Sequence, residues 1–576
     1  MSIGLRREFR ILLLALASAF GPWAAAQEAP KIVPTPPQVP RSSDLGPPRA
    51  PESAPAVLPP QPAPPRELGK PDQDLRLDVT RYAVPDDAPA ELRNALPRLT
   101  ERYTGKGRSF EDLSNAAAEV TRFLQRELGY YLGYAYLPEQ VPADGVVRIA
   151  ILEGRLDRIV LEWSDGLPVD REVVEGYLSR LVPGTILKVR DVERVVFLVN
   201  DLRGITTRFE VRAGSLPGTA SLVVTPRAEP VWAGRADLDA NGSRYMGLYR
   251  LGGLVQRNSP FGRGDGFTAS LLGSTTGGLA FALLGYNTPV GGDGLKLGAS
   301  LSAVRYRLNE EASQLDLNGS AYTFNGYLLY PVVRARNLNL FTLASYDRKA
   351  YDDRNLLNST RKDVDTLTFG TTGDFRDSVL GGGVNTFEFN VIGGRLNYPG
   401  GARDNTGVGD RFGKFTLGYT RLQDLVTGRA LIYFSLRGQY AVNNLDNTEQ
   451  FRVGGPDGVR AYAPGEGTGD RAYVGSVELR WLPPESLLGR NARDVVAALF
   501  YDFGHVRFTA KPETAVDASN AKPGGDTFTA AGLGLAWVRP GAFALRISVA
   551  KPIAGTPRAE PDKDPRVYLQ GSVFFN

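Results

Sequence analysis

The chain has 576 residues, 65 of them glycine, with 10% aromatic residues and a net charge of +4; its mean hydropathy is −0.21. That balance suits a β-rich protein with many turns and not a helical membrane protein, and so slight and dispersed a positive charge does not imply nucleic acid. With no cysteine and a single histidine, His505, disulfides and thiolate metal sites are excluded, a His-ligated metal centre lacks its ligands, and nothing calls for a cofactor.

The chain opens with what reads as an export signal. Arg6, Arg7 and Arg10 form a basic start, Ile11–Phe20 an apolar run, and Ala24-Ala25-Ala26 a small-residue cleavage site, which makes 1–26 a signal peptide. A helix needs about 20 apolar residues to cross a bilayer, and no later segment approaches that length. Any membrane span must therefore be built from strands. Residues 27–73 form a linker, because 15 prolines between Pro30 and Pro71 allow extended chain but no packed core.

Two α+β units follow, at 74–153 and 154–229. In the first, a strand (75–84) and a short helix near 90–100 precede a helix opened by Ser109, with Asp112 three residues later as a capping pair. Phe110, Leu113, Ala117, Val120 and Leu124 stripe that helix and Gly129 closes it. Strands are expected at 131–137 and 146–152. The second unit repeats the order with a strand at 156–163, helices at 169–181 and 189–202, and strands at 206–212 and 220–225. The repeated order marks a duplication, and neither copy carries a catalytic constellation.

Helical periodicity stops at 230. Residues 230–576 contain about 16 segments of roughly 10 residues with alternating hydrophobicity. In the final one Val567, Leu569, Val573 and Phe575 share one side. The connections after odd-numbered segments are long (307–317, 351–362, 397–410, 442–471, 506–526, 552–565). Those after even-numbered ones are mostly short (288–293, 331–336, 424–428, 538–541). Long outer loops, short periplasmic turns and an even strand count describe an outer-membrane barrel, the closed form in which strands cross lipid with every backbone group paired.

Within the barrel, the strand Phe500-Tyr501-Asp502-Phe503-Gly504 places Phe500, Asp502 and Gly504 on one face. A carboxylate in so apolar a strand needs a partner, since an unpaired buried charge is very costly. The sixth outer loop, 442–471, is rich in Gly and Pro and carries Arg460 between Val459 and Tyr462. We expect this loop to fold back into the barrel, with Arg460 meeting Asp502 on the thirteenth strand. Asp502-Phe503-Gly504 also spells a kinase metal motif, but the partner loop of that motif is absent. His505 sits at a strand end, and Arg263-Gly264-Asp265 falls in the first periplasmic turn.

These residues resemble the two-partner secretion transporters, the exoprotein-exporting branch of the superfamily that includes the β-barrel assembly machinery. Leu137-Pro138-Glu139-Gln140 and Leu152–Ile159 are similar to the family's first polypeptide-transport-associated (POTRA) domain, and Asn200-Asp201-Leu202-Arg203-Gly204 to the N-D-L-P-G of the second. Val459-Arg460-Ala461-Tyr462 resembles the V-R-G-Y tip of an inward-folded loop, and Phe500–Gly504 fits F-x-D-x-G. Three features depart from the pattern: Ala461 replaces a glycine, the Pro-rich start replaces a plug helix found in some relatives, and Asn576 follows the terminal aromatic Phe575.

The resemblance implies two α+β POTRA domains followed by an all-β transmembrane barrel of about 16 antiparallel strands. It implies a monomer integral to the outer membrane, with its POTRA domains in the periplasm. Such a protein secretes an unfolded adhesin- or haemolysin-like partner without ATP and is not an enzyme. Loop gating would fall to Val459, Arg460, Tyr462, Phe500, Asp502 and Gly504. The client would meet the POTRA units, with the edge at 131–137 and its Tyr134 and Tyr136 as the candidate contact. Two rival readings are an insertase for other barrels and a passive porin. The number of POTRA units argues against the first, and the porin leaves them without a purpose.

Overall fold

The computed structural model describes residues 76–309, 317–354, 356, 359–399, 408–426, 428–514, 524–555 and 557–575. The expected signal peptide, the Pro-rich linker and Asn576 lie outside them. The chain divides into two compact units, one ending at Glu229 and including Gly291–Asp293, the other made of Pro230–Val290 and Gly294 onward.

The smaller unit contains both α+β repeats. In the first, β1 (Arg76–Val79) pairs with β3 (Gly105–Ser109), and β2 (Arg81–Ala83) runs parallel to β5 (Val146–Arg148). A third pair sets β4 (Tyr134–Tyr136) against β6 (Ala150–Leu152). The single strands expected at 75–84 and 146–152 are thus each split in two. At the second break, Ile149 donates its N–H to the Ala83 carbonyl and is 1% exposed as the chain changes partner.

Helix α1 (Ala90–Thr100) and helix α2 (Phe110–Arg126) pack on these strand pairs. The start of α2 is fixed by the Ser109–Asp112 box: Ser109 Oγ accepts from the Asp112 amide at 3.2 Å, and the Asp112 carboxylate accepts from the Ser109 amide at 3.0 Å. Leu113, Ala117, Val120 and Leu124 are buried on the predicted stripe. Gly129, at φ +68°, provides the left-handed residue that ends the helical segment.

The strand expected at 131–137 shortens to β4, whose central residue is bonded to α2. Thr121 Oγ1 accepts from the Ala135 amide at 2.9 Å and donates to its carbonyl at 3.3 Å. The second repeat has the same device. There β7 (Arg155–Leu161), β9 (Thr219–Ala228) and β8 (Ile205–Ala213) form a sheet in that order, packed under α3 (Arg171–Leu178) and α4 (Val189–Asn200). Asn200 Oδ1 accepts from the Thr207 amide at 2.7 Å and its Nδ2 donates to the Thr207 carbonyl at 3.2 Å. The core beneath gathers Val174, Tyr177, Val192, Val195, Val199 and Leu222.

The larger unit is a closed antiparallel barrel of sixteen strands among the described residues. They are β10 (Trp232–Asp239), β11 (Arg250–Asn258), β12 (Gly266–Ser274), β13 (Leu279–Val290), β14 (Leu295–Arg307) and β15 (Asn318–Arg334). Next come β16 (Leu338–Arg354), β17 (Ser359–Asp377), β18 (Gly383–Asn397), β19 (Arg411–Val426) and β20 (Ala430–Ala441). After a two-strand hairpin in the sixth loop, β21 (Phe451–Arg452) with β22 (Thr468–Gly469), the wall resumes at β23 (Arg471–Trp481) and β24 (Val495–Arg507). It ends with β25 (Gly525–Arg539), β26 (Phe543–Ala554) and β27 (Arg566–Phe575). Ring closure pairs β10 with β27 from Gly234↔Phe575 to Asp239↔Gln570.

Val567, Leu569, Val573 and Phe575 are exposed on the outside, as are Leu499, Tyr501, Leu479 and Trp481. Their inward neighbours Phe500, Asp502, Glu478 and Arg480 are buried. This is the apolar-out, polar-in alternation of a lipid-facing barrel. No helix among the described residues is long and apolar enough to cross a membrane.

Two connections differ from expectation. The loop expected at 351–362 is largely strand, since β16 and β17 stay paired up to Arg354↔Ser359. The turn after β23 is long and contains a short helix, α5 (Glu485–Leu488). Asp265 of the Arg263-Gly264-Asp265 turn is 0% exposed, and its carboxylate accepts from the Arg263 amide.

Candidate functional site

The sixth loop leaves the wall after β20 and returns to it at β23, yet it touches strands well around the ring. Tyr462 on the loop reaches β26 and β27, where its hydroxyl lies 2.5 Å from the Ala554 carbonyl and its own carbonyl accepts from Tyr568 at 2.9 Å. The tip of the loop meets Asp502 on the inner face of β24, which places the loop inside the ring. Val459, Ala461 and Tyr462 are all 0% exposed. The hairpin β21–β22 stiffens its base, and the ring of Tyr462 meets Phe528 edge-on at 4.9 Å.

Arg460 occupies the tip. Its Nε donates to Asp502 Oδ2 at 2.8 Å and its Nη2 to Oδ1 at 2.6 Å, the two-pronged geometry that a planar guanidinium forms with a carboxylate. The backbone amide of Arg460 adds a third bond to Oδ2 at 3.0 Å. Register supplies the remaining partners. Ser476 stands directly across from Asp502 in the β23–β24 ladder and Glu478 across from Phe500, so their side chains share the inner face. Ser476 Oγ donates to Asp502 at 2.7 Å and accepts from Arg460 at 2.9 Å, while Glu478 pairs with Arg460 Nη1 at 3.0 Å. The guanidinium carbon sits 3.4 Å from the Phe500 ring centre, a cation–π contact worth about 2 kcal/mol when water is excluded.

Of the six residues expected at the loop–wall contact, Val459, Arg460, Phe500, Asp502 and Gly504 come together, while Tyr462 is held further round the wall on β26 and β27. Gly504 has a steric role there: a Cβ would lie 2.5 Å from Val453 Cγ1 and 3.2 Å from Val459 Cγ2, inside the space the loop occupies. Ala461, where the resemblance expects glycine, is buried without a positive φ, so its Cβ is accommodated. Glu478 and Ser476 were missed as Arg460 partners. Their position opposite Phe500 and Asp502 depends on register, which the sequence does not display. His505 Nδ1 lies 3.0 Å from Thr527 Oγ1 at the strand end.

In the smaller unit, Tyr134 and Tyr136 project from the same side of β4 with rings stacked, 6.3 Å between centres and 9° between planes. They lie far along the chain from the loop.

A closed barrel with apolar exterior, a polar inner face, an arginine loop folded inside and duplicated α+β units ahead of it defines an outer-membrane transporter of the POTRA-barrel class. The chain belongs to the family of haemolysin secretion/activation proteins ShlB/FhaC/HecB, whose model matches residues 218–533, and a ShlB-type POTRA domain matches residues 79–154. It is an integral outer-membrane protein whose POTRA domains are periplasmic. It is 25% identical over 497 residues to the heme/hemopexin transporter protein HuxB of Haemophilus influenzae strain 86-028NP, covering 84% of each chain. It is 26% identical over 400 residues to the outer membrane transporter CdiB of Dickeya dadantii strain 3937, covering 66% of this chain and 68% of that one. In fold it is similar to CdiB from Escherichia coli, with a TM-score of 0.66 at 18% identity over 91% of this chain and 94% of that one. A BamA from Haemophilus ducreyi lacking POTRA domains 1–3 shares the fold at a TM-score of 0.51 and 16% identity, over 87% of this chain and all of that one.

Proposed function

We propose that this transporter secretes an unfolded, adhesin- or haemolysin-like partner from periplasm to cell surface, without ATP and as a single copy in the lipid. The client is bound by the POTRA units, where the stacked Tyr134 and Tyr136 offer an aromatic surface to an extended chain. Because Thr121 already bonds both backbone groups of Ala135, the first contact is with these rings, and strand addition at that edge follows only when Thr121 lets go. The client then passes through the barrel, and its folding outside gives the movement direction.

The observation that supports this reading best is the loop held across the interior by the Arg460–Asp502 pair. Such a pair need not stabilise the barrel, since desolvation offsets much of its Coulombic gain. It sets where the loop sits, and so what can pass. Secretion from cells carrying Arg460→Ala or Asp502→Ala tests it. Both proteins should insert as folded barrels while the partner disappears from the medium; normal export by both would remove the pair from the mechanism. Comparing the proteins released with and without this gene identifies the client.

A further inference from the structure

The loop that carries Arg460 is fastened at a second place, by other chemistry and to a different part of the wall. At its root, the Glu449 carboxylate is paired with Lys349 of β16 at 2.6 Å and Lys414 of β19 at 2.9 Å, and Asp446 with Lys362 of β17 at 2.8 Å. All five side chains are at most 10% exposed. Lys414 also donates to the Glu449 carbonyl at 2.8 Å. Leu445 beside them is 3% exposed and packs in an apolar cluster with Tyr351, Val364 and Phe412. Where the loop rejoins the wall, Asp470 accepts from the Leu445 amide, Gln450 Nε2 and the Ala510 amide, which ties the two limbs together.

The two fastenings pull in opposite directions around the ring. The root holds to β16, β17 and β19, behind the point where the loop leaves; the tip holds to β23, β24, β26 and β27, ahead of it. They also differ in what release would leave behind. Withdrawing the tip takes a single guanidinium from Asp502 and Glu478, and Glu478 keeps Arg480, whereas withdrawing the root breaks three buried ion pairs at once. An uncompensated buried charge is the costly outcome.

We propose that Glu449 and Asp446, with Lys349, Lys414 and Lys362, are positioning residues that form the fixed end of the loop. The tip with Arg460 moves about this anchor during translocation while the root stays on the wall. This rests on the transport reading above, but loop position can be measured without secretion.

The chain has no cysteine, so spin labels can be placed without removing any. One label goes on Asn337→Cys in the turn between β15 and β16. A second goes either on Asp457→Cys near the tip or on Asn443→Cys at the root. Electron–electron distances are read in the folded full chain in liposomes. In Arg460→Ala the narrow tip distance should be lost and the narrow root distance kept; in Glu449→Gln with Asp446→Asn both should be lost. A root distance kept in the double variant, or lost in Arg460→Ala, overturns the proposal. If the double variant does not fold, as read by its gel mobility before heating, Lys362→Gln is scored by the same root distance. Failed secretion with these distances as expected leaves the anchor standing and counts against the transport reading alone.

Discussion

Asp502 is the wall residue that meets the loop's arginine. It is 0% exposed and receives three hydrogen bonds from Arg460 and one from Ser476. Removing it leaves the guanidinium with Glu478, Ser476 and the Phe500 ring. Breaking one side of a buried pair costs about 3–5 kcal/mol when the charge stays buried, so the tip should give way before the barrel does. Arg460→Lys should also impair export, because an ammonium cannot span both carboxylate oxygens; secretion equal to the parent would show that charge alone suffices. Gly504→Ala tests the same contact sterically. Overpacking of this kind costs about 1–3 kcal/mol, and the expected result is a displaced loop, seen as raised ion conductance in planar bilayers with the barrel still folded.

At the scale of single elements, the α2 cap and the Asn200 bonds make independent predictions. Ser109→Ala removes a capping side chain worth about 1 kcal/mol, which calorimetry of the intact protein should detect as a lower transition for the α+β unit. The Ser109 backbone amide, bonded to the Asp112 carboxylate, holds that carboxyl below its ordinary value. A depressed folded pKa means that the stabilisation is complete above the unfolded value, about 3.9, and is lost as pH falls through the folded one. The stability gap between the parent and Asp112→Asn should therefore be open at neutral pH and close in acid. Asn200→Ala removes both bonds to Thr207, and the Thr207 amide should exchange faster with solvent.

The cap and the helix stripes were legible because they are local, written in residues three or four apart. The split of the strands expected at 75–84 and 146–152 was not, because it depends on which neighbour each segment finds. The same is true of β4, where a threonine from α2 satisfies the backbone that an extended strand would otherwise offer.

For the molecule as a whole, alternation and loop parity made the sixteen-stranded barrel readable, since lipid outside and water inside impose a period of two on every strand. That Arg460 and Asp502 should need each other was also readable, from the cost of isolating either. The root anchor was not, because Lys349, Lys362 and Lys414 sit on three strands far from Glu449 and Asp446 in sequence and meet them only through the barrel's curvature. Proteoliposomes holding this transporter and a client with no nucleotide present test the energetics of the whole process. Passage should proceed and should stop when the client is folded beforehand; a requirement for ATP would overturn the proposed driving force.

A long, glycine- and proline-rich segment at the outer surface would ordinarily be the place where a protease cuts or an antibody takes hold. With Val459, Ala461 and Tyr462 fully buried in the bore, this one offers neither a cleavable tip nor an epitope, and its arginine is shielded from whatever the cell meets outside.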